Sequence, residues 1–479
     1  MSNLLWAGAA RHIINPPLGI GKIGTRLFGD PIQAIESDLT ATALVLGSAD
    51  TKLVILALDL CTVATTTANE MRERVAQALG IPRSHVLLNL SHNHSAPALP
   101  GYMPEDFEPQ FKEEYRNQLE ARLVEVAQAA DAQLQPARLG VGWGESYIGV
   151  YRREFRDGHD VLGEVPDHPI DPSVGVIRLD DLDGKPIALL FRYSAHPVTV
   201  GPRSMVASTD YPGPARDVVE QHLGGLALFL QGCGGNLNPR VGIGYEVDCR
   251  DTKNRIGWSL GGEVLKVAAG IRTNTRAGAR RRLGSVPNIL FTPWEAVGAG
   301  DTCTYLGAVE ETVPLEFIAL PSLAEAEAIH ARWQQALEER RARDAQDWEI
   351  RVAFKFELWS RILVDAVKKG RAECTLDLQA LRVNGVVIAG MNVETFYETG
   401  LTIREQSPFK DTFVLGYTTG SSSYLPRAQD YPEGGWKLDG SYAVPDLMFQ
   451  GYLLPVALHP NSEQRAIQGT LKLIRTLGT

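Results

Sequence analysis

An apolar strand, an amphipathic helix and a second apolar strand follow one another early in the chain. The runs Lys52–Leu60 ("KLVILALDL") and His85–Ser91 are rich in aliphatic and β-branched residues. The segment between them, Thr66–Gly80, carries apolar residues at helical spacing and ends at a glycine suited to a C-cap. This order predicts a crossover between two strands buried on both faces, and therefore an α/β fold.

A helical stretch interrupts the strands in the second half of the chain. "SLAE" at Ser322 fits a capping box, and helical patterns continue to Gly370. Strands resume over Leu376–Glu394, where "NG" predicts a hairpin turn. Because no repeat or composition break divides the chain, we predict one domain over residues 1–479. We expect a mixed β-sheet core flanked by helices, with a helical insertion at about 322–370.

Composition limits the classes of partner and the cellular compartment that we expect for this chain. The 479 residues carry a net charge of −10, and "ARRRL" (Ala279–Leu283) is the one sustained basic run, as expected of a solvated loop. No run of 18 apolar residues and no secretory leader occur, and the five cysteines form no CxxC pair. We therefore predict a cytoplasmic protein without a membrane span or nucleic-acid partner. The partner is a small-molecule substrate, and a homo-oligomer is an open possibility.

Two histidines one residue apart follow the second strand, in "LLNLSHNHSAP". A continuing strand would aim His92 and His94 to the same side. Three more apolar strands end near residues able to bind a metal: His196, Glu394 and Tyr424. Imidazoles with a carboxylate are a common ligand set for catalytic zinc, although each residue taken alone also fits an ordinary packing or surface role.

Several motifs occur in an order that resembles the neutral, non-lysosomal ceramidases. They run from about Ala7 to about Trp436 and include "LALDLC", "LLNLSHNHSAP", "FRYSAHPVTV", "STDYPGPAR", "QGCGGNLNPR", "NVETFYETGLTIR" and "YLPRAQDYPEGGW". The chain is similar to the catalytic domain of that family, in its broad bacterial branch. The resemblance implies a hydrolase with one zinc ion per chain, or another divalent transition metal in its place.

The resemblance also implies roles for individual residues. The family's zinc ligands fall on His92, His196, Glu394 and Tyr424. The second histidine of the opening motif falls on His94, which the resemblance places beside the metal as a general acid/base or oxyanion donor. Further candidates that could orient ligands or bind polar groups of the substrate are Asp59, Asp210 and Asn236.

Departures from the family pattern bear on the substrate. "GNLNP" has Asn236 and Asn238 where ceramidases have aspartate and serine, and we expect neither an immunoglobulin-like C-terminal domain nor an export signal. We therefore predict a zinc hydrolase that cleaves an amide bond of a small, polar, soluble substrate. One alternative is an ester, lactone or glycosidic bond in a sugar-like or cyclitol-like molecule. A metal-free binding protein on the same fold is another, and ceramidase activity itself is disfavoured by Asn238.

Overall fold

The structure is a computed structural model that describes residues 4–23, 31–97, 99, 113–156, 159–241, 243–244, 247–298, 304–430 and 448–478. In chain order, the strands of its first half are β1 (Leu5–Ile13), β2 (Lys22–Ile23), β3 (Ala34–Ile35), β4 (Thr40–Gly47), β5 (Lys52–Leu58), β6 (Val86–Leu90), β7 (Ala96–Pro97), β8 (Gln135–Glu145), β9 (Gly149–Arg156), β10 (His159–Val165), β11 (Ser173–Asp181), β12 (Pro186–Tyr193), β13 (Val206–Ala207), β14 (Leu226–Gln231) and β15 (Leu237–Pro239).

The later strands are β16 (Thr275–Ala277), β17 (Arg281–Leu283), β18 (Val286–Phe291), β19 (Trp294–Ala296), β20 (Leu306–Leu315), β21 (Cys374–Val383), β22 (Val386–Met391), β23 (Glu394–Thr395), β24 (Asp411–Leu415) and β25 (Tyr424–Leu425). The helices are α1 (Thr65–Leu79), α2 (Glu113–Asp131), α3 (Pro212–Leu223), α4 (Arg250–Gly270), α5 (Leu323–Ala342), α6 (Asp347–Lys369), α7 (Tyr397–Gln406) and α8 (Ser462–Thr476).

Two sheets packed face to face form the centre of the molecule. The large sheet has eight strands in the order β14-β12-β11-β8-β1-β4-β5-β6, and the small sheet has four in the order β20-β21-β22-β24. Buried side chains from both sheets meet between them, for example Ile55 and Leu190 from the large sheet with Leu381 and Phe413 from the small one. Helices α1 to α4 cover the outer face of the large sheet, and α7 and α8 cover that of the small sheet. The result is a four-layer α/β fold.

The predicted fold class is confirmed, and several local predictions hold with it. Strands β5 and β6 are parallel and joined by α1, which ends at Gly80 with a left-handed φ of 65°. Ser322 forms the expected capping box, and α6 also ends at a left-handed glycine, Gly370. Asn384, with φ of 54°, turns the β21–β22 hairpin. The second sheet was not predicted, because a strand buried on both faces does not reveal in its sequence whether a helix or another sheet covers it.

The carboxyl ends of four strands meet at one edge of the sandwich. Asn89 on β6 bridges to Thr418, and Gly232, just after β14, bridges to Leu415 at the end of β24. The loops that follow β6, β12, β14 and β22 therefore gather where the two sheets join, which is where ligands bind in open α/β sheets. Among the helices of the described ranges, none is long and apolar enough to cross a membrane.

Candidate metal centre

Three of the loops at this edge bring together His92, His196 and Glu394. His92 follows β6, His196 follows β12 and Glu394 begins β23 just after β22. The Oε2 atom of Glu394 lies 3.4 Å from Nε2 of His92 and 3.0 Å from Nε2 of His196. All three side chains are buried, and their ligand atoms lie within 4.8 Å of one another. The cluster is small enough for a single cation to touch all three atoms.

Backbone carbonyls fix which ring nitrogen of each histidine faces the cluster. His92 Nδ1 lies 2.9 Å from the carbonyl oxygen of Cys61, and His196 Nδ1 lies 2.8 Å from that of Gly234. A carbonyl only accepts, so each Nδ1 carries the hydrogen and donates it. Both Nε2 atoms are then left as lone pairs aimed inward. Such carbonyl contacts commonly orient metal-binding histidines in other proteins.

The charge distribution of this cluster fits a bound cation. Burial lowers the pKa of His92 and lowers that of His196 to about 3, so both rings are neutral near pH 7. Burial alone would raise the pKa of Glu394, but the neighbouring His92 and His196 rings and the Arg152 guanidinium outweigh it and hold this pKa below its usual value. Two neutral nitrogen lone pairs thus converge on the Oε2 atom of Glu394, which also accepts a hydrogen bond from the Tyr417 hydroxyl. This set of ligand atoms is compatible with a divalent metal.

The third imidazole, His94, lies beside the cluster and is less buried. Its Nε2 is 3.1 Å from Nε2 of His92, and the two rings meet edge to face with centroids 4.8 Å apart. Its Nδ1 is buried and has no hydrogen-bond partner among the described residues. The strand geometry expected for the pair was wrong: β6 ends at Leu90, and His92 has a φ of 58°, so both histidines lie in a loop. The positive φ at His92 turns its ring toward His196 and Glu394.

Tyr424, the predicted fourth ligand, lies next to Glu394 in the short parallel pair β23–β25. Its hydroxyl accepts a 2.8 Å hydrogen bond from Nη2 of Arg152 and shares a hydrogen bond with Glu394. Burial raises the pKa of Tyr424, so the phenol is neutral near pH 7 unless a metal binds it. Its position is compatible with the ligand role that the family resemblance implies.

Sequence reasoning missed three residues that contact this centre. The Tyr417 ring packs against the ring of His92 with centroids 4.2 Å apart and planes tilted by 30°, and its hydroxyl donates to Glu394 Oε2 at 3.4 Å. The hydroxyl of Tyr452 donates to the other oxygen, Oε1 of Glu394. Arg152 is buried and holds both Tyr424 and the loop after β14. Arg152 lies inside a buried strand, and this was the one available sequence signal for these three residues. Tyr452 lies far along the chain in a segment without a recognisable motif.

The helical pair α5–α6 fixes the segment that carries Tyr452. The indole Nε1 of Trp359 on α6 donates a 2.8 Å hydrogen bond to the carbonyl oxygen of Leu454. Val456 packs in the same buried cluster as Trp359, and Leu453 is held at a φ of 59°. The helical pair thus contacts the segment that follows Tyr452, at Leu454 and Val456.

The polar atoms of the other predicted site residues are engaged by neighbouring groups of the protein. Asp59 accepts hydrogen bonds from Thr40 and forms a 2.8 Å ion pair with Arg216. Asp210 accepts from the Thr199 hydroxyl at 2.5 Å and from three backbone N–H groups, including that of Val200. It therefore holds the loop that follows His196. Burial raises the pKa of Asp210.

Asn236 lies in the loop between β14 and β15, and Asn238 lies in β15 itself. Asn236 donates to Glu398 at 2.8 Å and accepts from the N–H of Tyr397, which joins the loop to α7. Asn238 accepts a 3.1 Å hydrogen bond from Nη1 of Arg152. Both side chains therefore support residues around the centre. Of the motif "YLPRAQDYPEGGW", the part from residue 431 onward lies outside the described residues.

Comparison with known proteins adds a fold relationship. No protein-family model matches the chain, and no curated protein matches it by sequence. A neutral ceramidase from Pseudomonas aeruginosa is similar in structure, with a TM-score of 0.67, 17% identity, and coverage of 100% of this chain and 75% of the ceramidase. A structure described as a ceramidase complexed with C2 gives a TM-score of 0.68 at 16% identity, covering 99% of this chain and 75% of the other. The protein therefore has a ceramidase-like fold.

Proposed function

We propose that the chain is a zinc-dependent hydrolase that cleaves an amide bond in a small polar substrate. The observation that carries the proposal is the convergence of His92 Nε2, His196 Nε2 and Glu394 Oε2 at a buried point. The ceramidase-like fold supports amide hydrolysis, because the two similar structures are described as ceramidases. Tyr424 or Tyr452 would complete the ligand set, since both hydroxyls reach Glu394.

His92, His196 and Glu394 would hold a divalent cation, which would supply Lewis acidity and lower the pKa of adjacent water to about 7. His92 and His196 would bind it through Nε2, because each Nδ1 donates to a carbonyl. Glu394 contributes the negative charge that favours a cation over neutral water. Tyr417 and Tyr452 orient this carboxylate by donating to its two oxygens.

His94 is the residue placed to move protons. It is less buried than His92, and its Nε2 faces the cluster. Burial lowers the pKa of His94 well below its ordinary value, so its ring is neutral and can accept a proton from the attacking water. The ring can then pass that proton to the leaving amine. An amide needs this step because an unprotonated amine is a poor leaving group.

Arg152 and the tyrosines supply positive potential where negative charge develops on the scissile carbonyl oxygen. The Arg152 guanidinium is buried and close enough to Glu394 and Tyr424 to attract both electrostatically. Preorganised donors of this kind are typically worth about 10²–10³-fold in rate. The Asn238–Arg152 hydrogen bond makes this wall of the site polar, which favours a polar substrate over a lipid.

Metal analysis of the purified, chelator-free protein tests the proposal. We expect about one equivalent of zinc per chain, and less than about a tenth of an equivalent of any transition metal would refute it. His196→Ala should lose both metal and activity. Asp59→Asn is the matched control, since it also alters a buried polar residue but should keep the metal.

A panel of small substrates tests which type of bond the protein cleaves. Small polar amides should be hydrolysed by the zinc-loaded protein, with rates lost on chelation and restored by zinc. Turnover of esters or lactones alone would replace the amidase proposal with the esterase alternative, since the same metal chemistry serves both bonds. A metal-loaded protein inert toward the whole panel would favour a binding function.

A further inference from the structure

A small cavity lies where β6, the edge strand of the large sheet, approaches the small sheet. Its lining comes from α1, the turn before β6, strands β20 and β21, and the loop that follows β24. We call it the side cavity. Its volume is about 230 Å³, and Leu378 is the one apolar residue among the described residues that line it. Pockets for drug-sized molecules measure roughly 300–1,000 Å³, so the side cavity suits a smaller, polar ligand.

One buried acceptor in the side cavity lacks a hydrogen bond. Gln379 on β21 is 3% exposed, and its Nε2 donates to the carbonyl oxygens of Ser84 at 2.8 Å and Val86 at 3.0 Å. Since carbonyls only accept, these two bonds fix the orientation of the amide group. The Oε1 atom has no hydrogen-bond partner among the described residues. A buried acceptor without a partner is destabilising, so the cavity favours a ligand that donates hydrogen bonds.

The carboxylate of Asp377 lies on the same side of β21, two residues before Gln379. Its Oδ1 accepts from the Thr312 hydroxyl at 2.8 Å and its Oδ2 from the Asn69 amide at 3.2 Å, so both donors are neutral. The two arginines of the lining pair with Glu310 instead, and no cation in the described ranges forms an ion pair with Asp377. A primary ammonium group brings three N–H donors and a positive charge, which matches this carboxylate and the neighbouring amide oxygen.

The part of the lining around Glu310 has an excess of positive charge. Nη2 of Arg72 and Nη2 of Arg83 each lie 2.7 Å from an oxygen of Glu310, so two guanidiniums share one carboxylate. Arg83 is the more exposed of the two and donates through Nε and Nη2, which leaves its Nη1 for an anion. Glu311 already pairs with Lys472 at 2.8 Å. The lining and this partner are therefore neutral overall, with cations at Arg72, Arg83 and Lys472 and anions at Glu310, Glu311 and Asp377.

We propose that the side cavity binds a free α-amino acid in its zwitterionic form. The ammonium group donates to Oε1 of Gln379 and to the carboxylate of Asp377, and the carboxylate of the ligand accepts from Nη1 of Arg83. Each charged end of the ligand then meets an opposite charge in a lining that is neutral overall. A simple amine would leave the excess arginine charge unmatched, and a simple carboxylate would leave Gln379 without a donor.

The side cavity is separate from the metal centre but adjoins two of its loops. Thr419 lines the cavity two residues after Tyr417, which donates to Glu394. The N–H of Asp377 donates at 2.8 Å to Oδ1 of Asn392, two residues before Glu394. None of the candidate metal ligands lines the cavity. Amino-acid binding can therefore be measured without relying on the proposed hydrolase activity.

Saturation-transfer difference NMR on the full chain tests the ligand class, with alanine, ethylamine and propionate as probes at equal ionic strength. Ethylamine is alanine without its carboxylate, and propionate is alanine without its amino group. Alanine should bind at least about tenfold more tightly than either, because each analogue lacks one charge-assisted contact. Absence of alanine binding would overturn the proposal, as would ethylamine or propionate binding as tightly as alanine.

Three variants test where alanine binds. Asp377→Asn keeps the size of the side chain but removes its charge, and it should weaken alanine binding by about tenfold or more. Asp251→Asn is the matched control, since it removes an exposed carboxylate on α4 and should bind alanine like the wild type. His196→Ala should also bind alanine unchanged, although the proposed function predicts that it loses the metal.

Circular dichroism melting confirms that each of these variants is folded. Alanine binding that is unaffected by Asp377→Asn would refute the side cavity as the binding site. Alanine binding that disappears in His196→Ala would mean that alanine binds at the metal centre, which would also refute it. Failure of the proposed hydrolase function, by contrast, would leave all three binding results as expected.

Discussion

Two buried polar clusters lie near the carboxyl ends of the strands, and they balance charge in opposite ways. In one, Asp59 pairs with Arg216 at 2.8 Å and accepts hydrogen bonds from Thr40, so the protein supplies its own counter-charge. In the other, Glu394 faces the Nε2 lone pairs of His92 and His196. The first cluster is complete as it stands. The second brings the Nε2 lone pairs of two histidines to one carboxylate oxygen, and we propose that a cation from outside completes it.

This contrast shows how a buried carboxylate that pairs within the protein, such as Asp59, can be distinguished from a candidate metal ligand such as Glu394. Both Asp59 and Glu394 are nearly inaccessible, so burial does not distinguish them. The distinction lies in whether the neighbouring nitrogen atoms carry hydrogen toward the carboxylate. Arginine always does, whereas the two histidines donate theirs to the carbonyls of Cys61 and Gly234 instead.

The largest expected effect within the acceptor-rich cluster comes from His94. His94→Ala should reduce the rate of hydrolysis by about 10²–10⁴-fold, because it removes the group that we propose moves the proton. Bound zinc should stay at one equivalent, since His92, His196 and Glu394 are unchanged. Steady-state kinetics and metal analysis on the same preparation measure both quantities. Loss of zinc in His94→Ala with retention in His92→Ala would reverse the two roles.

Asp59→Asn should lower the stability of the protein and leave its zinc content unchanged. Replacing the carboxylate leaves the buried Arg216 cation without its counter-charge, so we expect a loss of about 3–5 kcal/mol in the free energy of unfolding. Zinc content per folded chain should stay unchanged, because Asp59 donates nothing to the metal centre. Urea denaturation measures the first quantity and metal analysis the second. Zinc loss at full stability would place Asp59 in the metal site after all.

The same contrast explains which features of the fold and of the candidate site could be predicted from the sequence alone. The continuous apolar runs and the capping signals at Ser322 and Gly370 are local, and they located the strands and helices. His92, His196 and Glu394 were predicted as ligands because each closely follows a recognisable strand and falls on a motif of the ceramidase resemblance. Which carboxylate has an arginine partner depends on contacts between residues such as 59 and 216, and no local pattern encodes such a pair. The positive φ at His92 likewise comes from the tertiary contacts of its loop.

Lys355 is a third buried ionisable residue, and its protonation makes the stability of the protein depend on pH. Burial lowers the pKa of Lys355 on α6 from 10.5 to about 7, so this amine tolerates burial by losing its proton. Between about pH 7 and 10.4 the unfolded chain holds a proton that the native chain lacks, so stability rises with pH in this window. From pH 7 to pH 9 this contribution is about 2–3 kcal/mol. Urea denaturation of Lys355→Met should show a correspondingly flatter profile, and an unchanged slope would contradict the assignment.

The smallest expected effect tests whether the helical insertion supports the metal centre. Trp359→Phe keeps the buried ring but removes the hydrogen bond to the Leu454 carbonyl, which should cost about 1–3 kcal/mol of stability. Because Tyr452 lies two residues from Leu454 and donates to Glu394, zinc affinity should also fall, by about tenfold. Chelator competition measures this affinity.

Trp333 on α5 provides a matched control for that variant. Its ring stacks on Phe356 with centroids 4.8 Å apart in the same buried cluster, but its indole nitrogen has no hydrogen-bond partner within the described part of the chain. Trp333→Phe therefore makes the same chemical change without releasing the Tyr452 segment. It should leave zinc affinity unchanged even where it lowers stability. Equal zinc loss in both variants would mean that the insertion acts through general stability, because a specific path through Leu454 and Tyr452 requires the two tryptophans to differ.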